Sequence, residues 1–140
     1  MLWPRRPRGT EPESELEKER ASQCRAILSE LREILPGIKA IFVFGPDARL
    51  LDSATMDPGL DTAFLASEYA TLLRIVERTS IDTGMGDVRQ QILISTSSMI
   101  LVQHLLRNRV AVFVCSPDEH LGRLRYELKR SLLYSTLSNL

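Results

Sequence analysis

The stretch Ile81–Ser95, IDTGMGDVRQQILIS, decides the fold. Its Gly84-Met85-Gly86 is the only close glycine pair in the chain. Glycine-rich loops often cradle phosphates. Such a loop needs backbone N–H groups near the anion, a helix N-terminus aimed at it and usually a lysine. Here the order is reversed, with an apparent helix before the glycines and an apparent strand after them. No G-x-x-x-x-G-K-[ST] and no G-x-G-x-x-G occurs anywhere. The pair therefore reads as a helix C-cap running into a tight turn, with Gly84 as the cap and Gly86 letting the chain turn into Val88.

Upstream, Asp57-Pro58 predicts the start of the preceding helix, with Asp57 as N-cap and Pro58 at the first helical position. The helix is expected to run to about Ser80. Downstream, Val88–Ser95, Met99–Leu105 and Arg109–Cys115 are strand-like. Thr96-Ser97-Ser98 and Arg107-Asn108 supply tight connections, so the three strands form an antiparallel meander. Asp118 to about Leu137 predicts a closing helix. At the front, a helix from Ser14 carries Glu15 and Glu17 in its first turn. Its apolar positions, Cys24, Ile27, Leu28, Leu31, Ile34 and Leu35, form one stripe, and Pro36-Gly37 stops it. Ile38–Phe44 (IKAIFVF) reads as a strand buried on both faces. Gly45-Pro46-Asp47-Ala48 turns it into a shorter strand, Arg49–Ser53.

The predicted order is α-β-β-α-β-β-β-α. The fold class is α+β, a single five-stranded antiparallel sheet flanked by helices. Residues 1–13 are expected to be a disordered tail and 14–138 one domain. The turn at the two glycines is expected to set the second helix and third strand side by side.

Composition narrows the function classes. The chain has 140 residues, 44% hydrophobic and 26% charged, with zero formal net charge. That is enough for one packed core. Zero net charge argues against a nucleic-acid binder working through a broad basic surface. No run approaches the roughly 20 apolar residues that span a bilayer, so no integral membrane segment is expected. The N-terminal MLWPRRPRGT lacks an apolar stretch and is not a secretory signal. Cys24 and Cys115 form no C-x-x-C pair and read as buried thiols, placing the chain in the cytoplasm.

Catalytic patterns are missing from the sequence. His104 and His120 have no ligand-like spacing with Cys115. Asp52, Asp57 and Asp61 sit where aspartate serves turns and caps. No G-x-S-x-G or H-E-x-x-H appears. The chain is expected to be no enzyme and to hold no cofactor or metal.

The second helix departs from a plain surface helix. At about 100° per residue, Leu72, Leu65, Val76, Tyr69, Leu73, Ala66, Ala70 and Ala63 fall in that order across about half its circumference. A helix on one sheet needs a stripe only somewhat over 100° wide. The small edge, Ala63, Ala66 and Ala70 beside Ser67, predicts close packing against a second chain. Arg74 and Arg78 border it. On the last helix, Leu121, Leu124, Leu128 and Leu132 form a core stripe. Tyr126, Leu133 and Leu137 form a second apolar line with Arg123 and Arg130 beside it, so Tyr126, Arg130, Leu133 and Leu137 are a candidate second docking edge.

These features resemble the roadblock family, the dynein light-chain and small-GTPase regulator domain. The matching stretches are ILSELREILPGIKAIFVFGPDARLLDS, the alanine-rich FLASEYATLLRIVER, the glycine turn and HLGRLRYELKRSL, together covering about residues 24–135. The sequence departs at Asp47-Ala48, where the family has Asp-Gly, and at His120, where it has Asn. The resemblance implies a homodimer, or a pair with a paralogue, in which second helices pair and third strands can join two sheets. That would place Ala63, Ala66, Ser67, Ala70, Leu73, Arg74 and Arg78 at or beside the paired helices, and Val88, Gln90, Ile92 and Ile94 along the strand edge. It also implies a non-catalytic regulator or scaffold of a Ras-like small GTPase, with GTPase activation included, and Arg74 or Arg78 as the arginines to test. The alternative is a structural adaptor, a light-chain-like subunit of a motor or membrane-associated complex. A third is a small-ligand sensor, which needs a roomy pocket with convergent polar groups. Sheet positions are mostly bulky and apolar, apart from Gln103 and His104.

Overall fold

The computed structural model describes residues 15–130 and 133–140, with side chains from Gln23 onward. The tail expected at 1–13, the start at Ser14 and the core role of Leu132 lie outside the described residues. The elements are α1 (Glu15–Ile34), β1 (Ile38–Phe44), β2 (Leu50–Thr55), α2 (Thr62–Asp82), β3 (Gln90–Ile94), β4 (Met99–His104), β5 (Val110–Cys115), α3 (Leu121–Arg130) and α4 (Leu133–Ser138). They make one five-stranded antiparallel sheet in the order β2-β1-β5-β4-β3.

β1 and β5 are the central strands, and β5 is buried along its whole length. Residues alternate between two apolar layers. On one face, Ile41, Val43, Leu101 and Phe113 pack with Leu28 and Leu31 of α1, Leu124 and Leu128 of α3 and Leu137 of α4. On the other, Phe42, Phe44, Val102 and Val112 pack with Ala66, Ala70 and Leu73 of α2. The molecule is thus three layers deep, with helices on both faces of the sheet.

Local chemistry sets the joints. Gly84 N–H donates to Ile81 O, Met85 N–H donates to Ser80 O, and Gly84 has φ +77°. This is the Schellman closure of α2, which favours a residue without a Cβ. The glycine pair lies at a helix C-terminus, whose partial negative charge repels phosphate. At Gly37 the constraint is space. A Cβ there would come within 2.3 Å of Ser116 Oγ and 2.7 Å of a Glu119 carboxylate oxygen. The Gly37 N–H donates to that carboxylate, and Ser116 N–H donates to Gly37 O at 2.8 Å. The end of α1 is thereby tied to the entrance of α3. In the β1–β2 turn Ala48 takes φ +67°, the left-handed conformation a glycine would adopt more cheaply. Arg107 and Asn108, at φ +62° and +59°, make the two-residue turn between β4 and β5.

Several expected boundaries move. The N-cap of α2 is Asp61, whose carboxylate accepts from Phe64 N–H at 3.0 Å. The Asp57 carboxylate accepts instead from Gly59 N–H, closing a turn over Pro58. β2 lies one to two residues later than Arg49–Ser53. β3 begins at Gln90, so Val88 precedes it. The single closing helix is two, α3 and α4.

Candidate functional site: the second helix and the free sheet edge

α2 crosses one face of the sheet alone, lying closest to β1 and β2. β3 is the far edge strand, so the second helix and third strand are not side by side as expected. The small residues of α2 also have a different role from the one expected. Ala66 is fully buried, and Ala70 and Leu73 nearly so, against Phe42, Phe44 and Val112 of the same chain. Short side chains let the helix axis approach a sheet that carries bulky phenylalanines, keeping the interior close-packed. These three residues are therefore core and not paired-helix surface. A helical projection shows where small residues cluster but not whether a sheet or another helix lies above them.

Ala63, Ser67, Arg74 and Arg78 remain exposed, on the flank beyond that buried line. Arg78 Nε sits 3.7 Å from Asp82 Oδ2 with both side chains well exposed, an ion pair of little energetic weight. Arg74 borders a small cavity of about 180 Å³ floored by Phe44, Leu73 and Val110. Glu77 and His104 stand on the same cavity, with His104 Nε2 3.5 Å from Glu77 Oε2.

Two exposed apolar residues of α2, Phe64 and Ile75, lay outside the arc read from the sequence. Phe64 and Ile75 are 58% and 60% exposed, while Leu65, Tyr69, Leu72 and Val76 are only half-buried. Burial also raises the Tyr69 phenol pKa above its ordinary 10.0. At about 100° per residue, Phe64 and Ile75 share one side of α2, about three turns apart, roughly opposite the buried Ala66 and Leu73. That spacing was the available signal. Exposed Glu68 and Thr79 stand between them and the half-buried Leu72, Leu65 and Val76.

At the sheet's free edge, Gln90, Ile92 and Ile94 point to the face covered by α1, α3 and α4, opposite Gln103, Leu101 and Met99. Ile92 packs against the core, whereas Ile94 is 66% exposed. Val88 is half-buried and lies outside the ladder. The outer backbone groups of an edge strand are the usual template for pairing with another chain.

The second docking edge is half dissolved. Leu137 is fully buried and Leu133 nearly so, both packed into the core layer of the face covered by α1, α3 and α4. Tyr126 stays exposed, with the Arg130 guanidinium carbon 5.9 Å from its ring centroid. Arg130 also donates to Glu127 Oε1 at 3.2 Å, and Arg123 Nε lies 3.5 Å from Glu127 Oε2. Two arginines thus compensate a buried carboxylate.

The thiols are poor nucleophiles. Burial, with Glu119 nearby, pushes Cys115 up to about 12. Burial and Asp52 raise Cys24 well above the usual thiol range. His120 precedes α3 rather than lying inside it. No described helix is long and apolar enough to cross a membrane.

No family model and no curated protein matches the sequence. Solved structures do match its shape. Myxococcus xanthus MglB superposes with a TM-score of 0.71 at 17% identity, over 90% of this chain and 95% of that one. A gliding protein MglB from Thermus thermophilus gives 0.72 at 15%, over 91% and 92%. A Roadblock/LC7 domain from Streptomyces avermitilis gives 0.66 at 20%, over 82% and 91%. With this strand order, these flanking helices and these superpositions, the chain has the roadblock/LC7 fold.

Proposed function

We propose that this chain is a dimeric, non-catalytic regulator of a Ras-like small GTPase in the cytoplasm, pairing with itself or a paralogue. One observation carries the reading: α2 leaves large apolar side chains outside its own core, Phe64 and Ile75 exposed and Leu72 half-buried one turn before Ile75. Exposed apolar groups of this kind mark partner surfaces. The implied pairing of second helices uses this exposed side, Phe64 and Ile75 with Ala63 and Ser67, and not the buried Ala66, Ala70 or Leu73. The β3 edge at Gln90, Ile92 and Ile94 supports it, since two such edges can join sheets. A solved structure described as MglB with a tetrameric arrangement superposes at a TM-score of 0.73 and 14% identity, which supports the self-association proposed for this chain.

Arg74 and Arg78 are exposed on α2, Arg78 one turn beyond Ile75, and are the arginines that would assist a bound GTPase. An arginine finger contributes about 10³- to 10⁵-fold in hydrolysis rate. A regulator that repositions the GTPase's own groups needs none.

The test joins light scattering to capture of GTP- and GDP-loaded Ras-like GTPases. Phe64→Glu with Ile75→Glu is expected to halve the solution mass, keep the fold and abolish nucleotide-dependent capture. Unchanged mass and capture would sink the proposal. Capture indifferent to nucleotide would establish the structural adaptor instead. Arg74→Ala and Arg78→Ala are expected to leave capture intact; a rate loss of about 10³ in either would assign a finger.

A further inference from the structure

Beyond α2, a second feature lies on the opposite face of the sheet, between the β3–β4 end and helices α3 and α4. A cavity of about 570 Å³ opens there. Arg125 and Lys129 reach it from consecutive turns of α3, and Arg89 reaches it from the residue preceding β3. Leu128 is its buried apolar wall, and Tyr134 of α4 lines the other side.

The sheet positions facing it break the apolar pattern of their layer. Gln90 and Gln103 are direct cross-strand partners where the neighbouring pairs are Ile92–Leu101 and Ile94–Met99. Gln90 Nε2 donates to Gln103 Oε1 at 2.7 Å, and Gln103 Nε2 donates to His104 O at 2.9 Å. The Gln103 amide is held in place, which leaves Gln90 a second N–H to offer a ligand.

Charge is the decisive point. Among the described residues no carboxylate lines this cavity. The acid on this part of α3, Glu127, is buried and engaged by Arg123 and Arg130, so it does not neutralise Arg125 or Lys129. A chain of zero net charge has gathered three cations around one cavity that, among the described residues, no carboxylate lines. Like charges placed together repel, and the repulsion is relieved when an anion binds between them. Guanidinium forks suit phosphate oxygens. The volume falls in the range of small-molecule sites, about 300–1,000 Å³, and exceeds what a bare inorganic anion fills.

We infer that this cavity binds a small organic phosphate carrying at least two negative charges. Arg89, Arg125 and Lys129 hold the phosphates, and Gln90 and Tyr134 contact the organic portion. The site is separate from α2, and its test uses the full chain alone, so it stands or falls independently of the GTPase reading.

Titration calorimetry with a nucleoside triphosphate, a nucleoside monophosphate, inorganic pyrophosphate and citrate decides it. Expected are saturable binding of the triphosphate, tighter than the monophosphate or pyrophosphate, and weakening as salt rises. Arg125→Ala with Lys129→Ala is expected to weaken binding at least about tenfold, the loss of two charge-assisted contacts. Arg25→Ala, on α1, should leave it unchanged. Both cavity side chains are exposed, and circular dichroism checks that the double variant folds. Line broadening in phosphorus NMR with the unaltered chain gives a variant-free readout. No broadening with any phosphate, binding indifferent to the double variant, or preference for citrate would each overturn the assignment.

Discussion

On one face of the sheet three helices, α1, α3 and α4, bury an apolar layer that runs from Cys24 to Leu140. On the other, α2 alone covers the same five strands, and several of its large apolar side chains stay half-buried or exposed. The two faces are made of similar residues, so hydrophobicity does not explain the difference. Helix number does. One helix about 10 Å wide cannot roof a five-stranded sheet whose strands lie about 4.8 Å apart. Among the described residues the first, closed face is roofed by three helices, and the second, open face is left partly uncovered by its one helix. Polar chemistry follows the same division. On the closed face polar groups stand at both edges of the sheet, the buried Asp52 of β2, which accepts from Cys24 N–H, and the Gln90–Gln103 pair, where a cavity opens; on the open face Arg74 and Arg78 stand exposed on α2.

The largest expected break in this contrast is at the closed face. Leu137→Ala removes a fully buried side chain and should cost about 2–5 kcal/mol, read as a shift in urea midpoint. A cost under about 1 kcal/mol would return α4 to the surface. Phe64→Ala, on the exposed side of α2, should by contrast change the monomer's stability by about 0.5 kcal/mol or less.

The next is at the closest approach of α2 to the sheet. Ala66→Leu overpacks that layer and should cost about 1–3 kcal/mol. Ala63→Leu, one turn earlier and exposed, should change stability by about 0.5 kcal/mol or less. Reversed outcomes by thermal melting would mean that the small edge faces outward after all.

The smallest effect is in pH. Cys115 is neutral in the fold with its pKa raised to about 12, while the unfolded chain ionises at the ordinary 9.0. Its contribution is therefore complete below 9.0 and is lost as pH rises towards 12. Cys24 acts in the same direction. Urea midpoints should hold steady below 9.0 and fall above it, and Cys115→Ala should flatten that fall. Because both thiols lie on the closed face, an unaltered alkaline fall in Cys115→Ala and Cys24→Ala would shift its origin to Tyr69 on the open face.

Most of the architecture was legible along the chain. The Gly84 closure, the Pro36-Gly37 stop and the meander of short strands are local events, written in residues a few positions apart. Cap choice was less secure, because Asp57 and Asp61 carry the same chemistry four residues apart. Only Asp61 places its carboxylate on a helical N–H. The candidate site was legible as an element but not as a face. The apolar arc pointed to α2, yet its Ala66 and Ala70 went to the sheet, and the exposed Phe64 and Ile75 lay outside it. The three cations of the basic cavity were invisible, since Arg89 is 36 positions from Arg125 and no pattern links them.

By itself, then, the sequence determined the order of elements and the antiparallel sheet, because period, cap and turn chemistry act over a few residues of backbone. Tertiary structure alone decided which side of α2 is buried, that Leu133 and Leu137 turn inward, and that Arg89, Arg125 and Lys129 meet at one cavity. Those outcomes depend on what packs across space from a residue, and helical periodicity carries no record of the neighbour.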